Sequence, residues 1–305
     1  MNIHDTDAIS AEFFENYDYY WLKYTMDRGA AEHARYLLAG HSLARFGVND
    51  REIPGLINLS FLSQDFYYSS KIIEKAIENI PTLRHIMLGA TYYSPYMDLS
   101  MARNTRELER IVRVYGRFFD DIHHMDKEKY SVLRAQILAN TKGSITEEQS
   151  LRMFQELQDD YFTANHDRKF ISDSDWTKPY TEEERYRIAK IRTDYHNKLI
   201  CHESSYKENA ELLQSMAAIC HSKGVAFSII IFPANHYYRS CLNPLLKDGY
   251  SAMLSSVPTE YRPVNVDLFS SDSFDPIKDY EDIDHLNDAG ASKMTTILKE
   301  YLENI

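Results

Sequence analysis

Five short apolar runs recur along the chain, separated by longer and more polar segments. They are YLLA (36–39), LINLSF (56–61), RHIMLGA (84–90), VAFSIIIFP (225–233) and PVNVDLF (263–269). Continuous apolar runs of this length are typical of strands that a parallel sheet buries on both faces. The pattern therefore predicts a sheet of five strands.

Around these runs, apolar residues recur three and four positions apart, as they do on one face of a helix. This spacing predicts helices over 9–35, 69–80, 203–222 and 289–304. Strands that alternate with helices predict a three-layer α/β/α fold, in which helices cover both faces of a parallel sheet.

The third and fourth predicted strands are too far apart for one crossover connection, because residues 91–224 separate them. Within this stretch, residues 103–200 have helical periodicity throughout, and Thr181 with Glu184 forms a capping-box pattern. We therefore predict a helical insertion over about 95–200 within a single α/β domain of residues 1–305.

Charge and composition narrow the classes of partner and the compartment. The formal net charge of −12 disfavours binding to nucleic acid, because the field of the protein repels phosphate. No basic and apolar leader opens the sequence, and no apolar run approaches the ~20 residues of a membrane span. The three cysteines form no C-x-x-C pair, which is typical of reduced thiols. We expect a cytoplasmic protein without a membrane span or nucleic-acid partner; the oligomeric state is open.

Polar side chains follow several predicted strands. Ser42 comes after Gly40 at the end of the first strand, and Ser63, Thr91 and His236 follow the second, third and fourth. Because the carboxyl ends of parallel strands meet at one edge of the sheet, we expect these side chains to share a crevice. His236 is expected either to contact substrate or to be an ordinary loop histidine.

A second motif, Asp282-x-x-His285, lies just before the last predicted helix. An aspartate at this spacing can orient the imidazole, which can then remove the proton from Ser42. Each motif alone has a simpler interpretation, since a loop serine is usually a helix cap and Asp-x-x-His is often a surface turn or a metal-ligand pair. Together they predict a Ser-His-Asp triad.

The two motifs resemble the blocks of the SGNH, or GDSL-like, hydrolase and acyltransferase superfamily. Its first block, Gly-Asp-Ser, matches Gly40-His41-Ser42, and its last block matches Asp282 and His285. The resemblance covers the α/β core and implies a flavodoxin-like SGNH fold with Ser42 as nucleophile and His285 as base. The ending DHLNDAGASKMT is similar to members encoded with bacterial surface-glycan genes, which implies a sugar or glycan substrate.

The resemblance also implies an oxyanion site, in which this chain departs from the family. FLSQDFYY replaces the glycine-containing second block, so a backbone N–H near Ser63 or Gln64 would have to serve. Thr91 stands where the third block has asparagine. Losing one oxyanion donor costs roughly 10²–10³ in rate. Tyr92, with the tyrosines at 93 and 96, is expected to wall the pocket or to pack the insertion onto the core.

Cofactor and metal chemistry has little support in the sequence. The chain contains neither G-x-x-x-x-G-K-[ST] nor G-x-G-x-x-G, so no nucleotide cofactor is expected. His123 and His124 fall on a predicted helix, where neighbours point to different faces, so we predict no shared metal there.

These patterns predict a serine-dependent acyl-ester hydrolase or O-acyltransferase that acts on a sugar or glycan precursor. The expected partner is a small-molecule or glycan ester. The alternative is a catalytically inactive SGNH-like protein that binds glycan, or serves as a scaffold, in polysaccharide biosynthesis. The missing second-block glycine and third-block asparagine favour that alternative.

Overall fold

The structure is a computed structural model that describes residues 11–140, 145–163, 176 and 178–305. The described residues form two compact units. One comprises the described parts of Met1–Arg28 and Asp98–Ala164, and the other those of Gly29–Met97 and Asn165–Ile305. We refer to them as the helical unit and the sheet unit.

Within its described residues, the sheet unit contains one sheet of five parallel strands. They are β1 (Tyr36–Gly40), β2 (Leu56–Ser60), β3 (His85–Ala90), β4 (Ala226–Ile231) and β5 (Val264–Asp267). Their spatial order is β2-β1-β3-β4-β5, which is the flavodoxin-like doubly wound order. Each predicted strand is confirmed to within two residues at either end, and so is the predicted α/β class.

Helices account for most of the remaining described residues. Those whose bounds lie within the described part are α1 (Tyr17–Ala31), α2 (Ser42–Gly47), α3 (Phe66–Asn79), α4 (Thr105–Arg110), α5 (Gly116–Phe119), α6 (Lys127–Asn140), α7 (Glu147–Thr163), α8 (Glu182–Lys198), α9 (Glu203–Ser222), α10 (His236–Cys241), α11 (Pro244–Ser256) and α12 (Asp288–Glu303). A π-helical segment, Ile111–Tyr115, joins α4 to α5. None of the described helices combines the length and apolar character that a membrane-spanning segment needs.

The sheet of the sheet unit is covered on two faces. Helices α3, α9 and α11 pack side by side, with α3 against β1 and α9 against β4. Helix α2 packs on β1, β2 and β3 and contacts α12. Right-handed crossovers in this strand order place these two groups on opposite faces. The result is the predicted three-layer arrangement.

Glycines at the carboxyl ends of β1 and β3 bring α2 directly onto the sheet. A Cβ at Gly40 would collide with the backbone of Gly89 on the neighbouring strand. A Cβ at Gly89 would lie 2.6 Å from the Cβ of Ala44 in α2. A glycine is therefore needed at the end of β1, because a side chain there would push apart the strands and the helix that position Ser42.

The predicted helical insertion divides differently from its expected bounds of 95–200. The described residues of Asp98–Ala164 group with those of the N-terminal segment, whereas α8 groups with the sheet. The predicted continuous helicity of 103–200 is also wrong, because the chain turns after α5, where Asp120 and His123 adopt φ values of 53° and 52°. The predicted helix over 9–35 corresponds to α1, with residues 9 and 10 outside the described part.

Candidate active site

Ser42 is the first residue of α2, and only His41 separates it from the end of β1. His41 caps the helix, since its Nδ1 accepts a hydrogen bond from the backbone N–H of Leu43 at 3.3 Å. The Ser42 side chain is half-buried, so a substrate can reach it. Among the described residues, none accepts a hydrogen bond from the backbone N–H of Ser42. The nucleophile candidate therefore has a spare N–H donor beside its hydroxyl.

The structure brings Ser42, His285 and Asp282 together. Nε2 of His285 lies 2.9 Å from Oγ of Ser42, although the two residues are 243 positions apart in sequence. On the other side of the ring, Nδ1 of His285 lies 2.9 Å from Oδ2 of Asp282. Both contacts are within hydrogen-bond distance. The imidazole is thus placed to take a proton from the serine and is oriented by the aspartate.

Hydrogen bonds within the loop hold His285 in position. Oδ1 of Asp282 accepts hydrogen bonds from the backbone N–H groups of Asp284 (2.9 Å) and His285 (2.7 Å). Tyr280 and Leu286 form an antiparallel bridge across the loop. Asn287 then caps α12 by accepting from the N–H of Gly290 at 3.1 Å. The imidazole is therefore held in place before substrate arrives, which lowers the reorganisation that the reaction needs.

A second carboxylate, absent from the sequence prediction, also faces His285. Oδ1 of Asp284 lies 3.4 Å from Nδ1 of His285, and Oδ2 of Asp284 accepts from Nε of Arg192 at 3.0 Å. The alternation Asp282-Ile283-Asp284 was the available signal, because the acidic residue next to the histidine is visible in sequence. Arg192 had no such signal, since it lies 92 positions from Asp284.

The two carboxylates control the protonation of the candidate base. Burial lowers the pKa of the His285 imidazole, but Asp282 and Asp284 outweigh burial and raise the pKa to about 10. Burial raises the pKa of Asp284, and the charges of Arg192 and His285 more than offset this, so the carboxyl is ionised. Both carboxylates approach the ring at Nδ1, and they favour its protonated form.

The predicted oxyanion residues have local partners. The Thr91 hydroxyl lies 3.1 Å from Oγ of Ser94, and the backbone N–H of Thr91 donates to the same oxygen at 2.9 Å. The backbone N–H of Gln64 donates to the carbonyl of Phe61 at 3.3 Å. The Gln64 side chain donates to Oγ of a serine in α3 at 3.0 Å. Ser63 lies in the turn before α3, with a φ of 55°.

Tyr92 lies against a small cavity and is itself buried. Its hydroxyl donates to Oδ2 of Asp267 at 2.7 Å, and its ring packs 4.5 Å from that of Phe269. Tyr92, Thr91 and Asp284 are among the residues that line a cavity of about 10 Å³. Such a volume has room for about one water molecule. The cavity is therefore too small, as it stands, for a sugar ring.

His236 is not brought to the triad. It begins α10 and is half-buried, with burial lowering its pKa. Its charged neighbours are Glu182, which raises the pKa, and Arg239, which lowers it. Its role, whether substrate contact or ordinary loop histidine, stays a prediction.

His123 and His124, in the helical unit, correct one prediction. They lie in the turn after α5 and not on a helix, so their rings stack with centroids 3.9 Å apart. Nδ1 of His123 lies 3.3 Å from one carboxylate oxygen of Asp98, and Nδ1 of His124 lies 3.2 Å from the other. The three side chains converge closely enough to hold a metal ion. However, the contacts with the imidazoles and with Ser100 already satisfy the carboxylate.

Asp282, Asp284 and His285 converge in the same way at the candidate triad and could also hold a metal ion. Their contacts are equally well explained without one, because the imidazole N–H and the backbone N–H groups satisfy the carboxylate of Asp282.

Comparison with known proteins adds little to this geometry. No protein-family model matches the chain, and no curated protein does. A solved structure described as a proposed platelet activating factor from Streptococcus pneumonia is similar over 97% of this chain and 99% of its own, with a TM-score of 0.39 and 11% identity. A similarity at this level carries no argument about fold or activity.

Proposed function

We propose that the protein is a serine-dependent acyl-ester hydrolase or O-acyltransferase of the SGNH type. One observation carries the proposal: His285 lies 2.9 Å from Ser42 through Nε2 and 2.9 Å from Asp282 through Nδ1. A serine, an imidazole and a carboxylate in this order form the arrangement that activates a serine hydroxyl.

In this mechanism, Oγ of Ser42 attacks the acyl carbonyl while Nε2 of neutral His285 takes the hydroxyl proton. Asp282 stabilises the imidazolium that results. The backbone N–H of Ser42 donates to the oxyanion of the tetrahedral intermediate. The imidazolium then protonates the leaving alcohol, and the acyl group stays on Ser42. Water or an acceptor hydroxyl attacks this ester, its proton passes to His285, and Oγ of Ser42 recovers a proton as it leaves.

The cavity beside Thr91 and Asp284 is lined by neither Ser42 nor His285, so its volume does not measure the acyl group that the serine would accept. The sugar or glycan precursor rests on the family resemblance, and a cytoplasmic location rests on the free thiols of Cys201, Cys220 and Cys241.

A fluorophosphonate probe tests the nucleophile directly. It should label the wild type and not Ser42→Ala, because only an activated serine reacts. Ser42→Ala should also abolish hydrolysis of nitrophenyl acetate while leaving the thermal midpoint nearly unchanged, since the side chain is small and half-buried. An unlabelled wild type, or a fully active Ser42→Ala variant, would rule out this function.

A second candidate function is a catalytically inactive glycan-binding or scaffold protein. The observation in its favour is that the Thr91 hydroxyl lies in hydrogen-bond contact with Ser94 and that the backbone N–H of Gln64 donates to Phe61. The oxyanion site would then offer little beyond the N–H of Ser42. Folded wild type that remains unlabelled by the probe but binds an acylated sugar in calorimetry would favour this alternative.

A further inference from the structure

Behind the imidazole of His285, a chain of charges leads from the loop to helix α8. Asp284 approaches Nδ1 of His285 to 3.4 Å with one oxygen and accepts from Nε of Arg192 at 3.0 Å with the other. The Asp284 side chain is only 4% exposed, whereas that of Arg192 is 39% exposed. A carboxylate buried to this degree needs a paired cation, because burial removes its hydration.

The other titratable groups around this chain are neutral near pH 7. Burial lowers the pKa of His41 and of His196 to about 3. Burial also raises the pKa of Tyr93 and of Tyr238. These side chains line the site from the serine turn, α8, the β3 exit and α10 without adding charge. Among the described residues, Asp282 and Asp284 are therefore the charged groups that act on His285, and Arg192 acts on Asp284.

We propose that Arg192 is a positioning residue, which acts through Asp284 to set how readily His285 gives up its proton. The inference rests on the proposed function, because it concerns the general base of that reaction. Asp284 alone favours the imidazolium, since a carboxylate near the ring stabilises its charge. Arg192 counters this effect by neutralising Asp284 and by holding one of its oxygens away from Nδ1, so Asp282 remains the nearer acceptor.

Two substitutions within the same ion pair should therefore shift the pKa of the His285 imidazole in opposite directions. Asp284→Asn removes a negative charge beside the ring and should lower the imidazole pKa by about one to two units. Its amide oxygen can still accept from Arg192, so the packing is kept. Arg192→Gln leaves the Asp284 carboxylate without its paired cation and should raise the imidazole pKa. This rise should be smaller than the fall caused by Asp284→Asn, since Arg192 does not touch the ring.

The titration of His285, followed by NMR with isotope-labelled histidine and assigned with a His285→Gln variant, measures both shifts. Lys190→Gln is the matched control: it removes one positive charge from the same helix, where Lys190 pairs with Asp194 at 3.1 Å and is 69% exposed. Arg192→Lys keeps the positive charge, so the pKa of His285 should stay close to its wild-type value.

The inference is overturned if Asp284→Asn and Arg192→Gln shift the titration in the same direction, or by no more than Lys190→Gln. Should circular dichroism show that Arg192→Gln does not fold, the double variant with Asp284→Asn decides. It should titrate like Asp284→Asn alone, because Arg192 acts through the charge of Asp284. A double variant that differs from Asp284→Asn by a unit or more contradicts the proposal.

The NMR titration separates this inference from the proposed function, because it requires no catalysis. If the two variants shift the His285 titration in opposite directions but the fluorophosphonate probe does not label the protein, the role of Arg192 is supported and the esterase function is rejected. Probe labelling with unmoved titrations would keep the esterase and reject the role of Arg192. In an active enzyme, the rising limb of the pH–rate profile should move with each variant as the titration does.

Discussion

The pH dependence of catalysis is the most demanding prediction for the candidate triad. His285 must be neutral to take the proton of Ser42, yet Asp282 and Asp284 raise the pKa of its imidazole to about 10. Near pH 7, about one molecule in a thousand then carries the neutral ring. The rate should rise about tenfold per pH unit through neutral and mildly alkaline solution and level off as the pH reaches the imidazole pKa.

Stability should change in the opposite direction over the same range. The folded pKa of His285 lies above its unfolded value, so the imidazolium stabilises the folded state fully below the unfolded pKa of ~6.5. That stabilisation is lost as the pH rises through about 10. A raised pKa of this size corresponds to a contribution on the order of 5 kcal/mol from this one group. The protein should therefore become less stable as it becomes more active.

Two measurements test this pair of trends. Hydrolysis of nitrophenyl acetate from pH 6 to 10.5, corrected with Ser42→Ala at each pH, isolates the triad from hydroxide-driven hydrolysis. Urea unfolding over the same range, with wild type compared to His285→Gln, isolates the contribution of the imidazole to stability. A corrected rate that is flat or falls between pH 6 and 9, in folded protein, would refute the reasoning about the base.

Three further substitutions test other parts of the site. His285→Ala should lose activity about as severely as Ser42→Ala, because the two residues act as one unit; an active His285→Ala enzyme would contradict the triad. Gly40→Ala should destabilise the protein by about 1–3 kcal/mol in urea unfolding, since the added Cβ meets the backbone of the next strand; unchanged stability would mean that the strands separate easily. Tyr92→Phe should lower stability by about 0.5–1.5 kcal/mol through the lost bond to Asp267, and it should affect small and glycan esters equally; a selective loss with glycan esters would restore the pocket-wall role.

The sequence alone was sufficient for the sheet and for the candidate triad. The apolar runs located all five strands within the described residues, because strands buried on both faces leave little room for polar side chains. Asp282 and His285 were recognisable because they lie three positions apart in one loop, so their contact is local. Ser42 was recognisable only in combination with Asp282 and His285, because a serine beyond a strand end is by itself usually a helix cap.

Only the tertiary structure decided the remaining features. It showed that Arg192 reaches Asp284 across 92 positions and that Gly40 and Gly89 meet on neighbouring strands. It also showed that the predicted oxyanion donors of Gln64 and Thr91 have partners within their own turns. Hydrophobic patterning records which residues are buried, but not which distant side chain or nearby carbonyl satisfies a given polar atom. That outcome depends on competition between donors and acceptors, and the folded chain alone brings all of the competitors together.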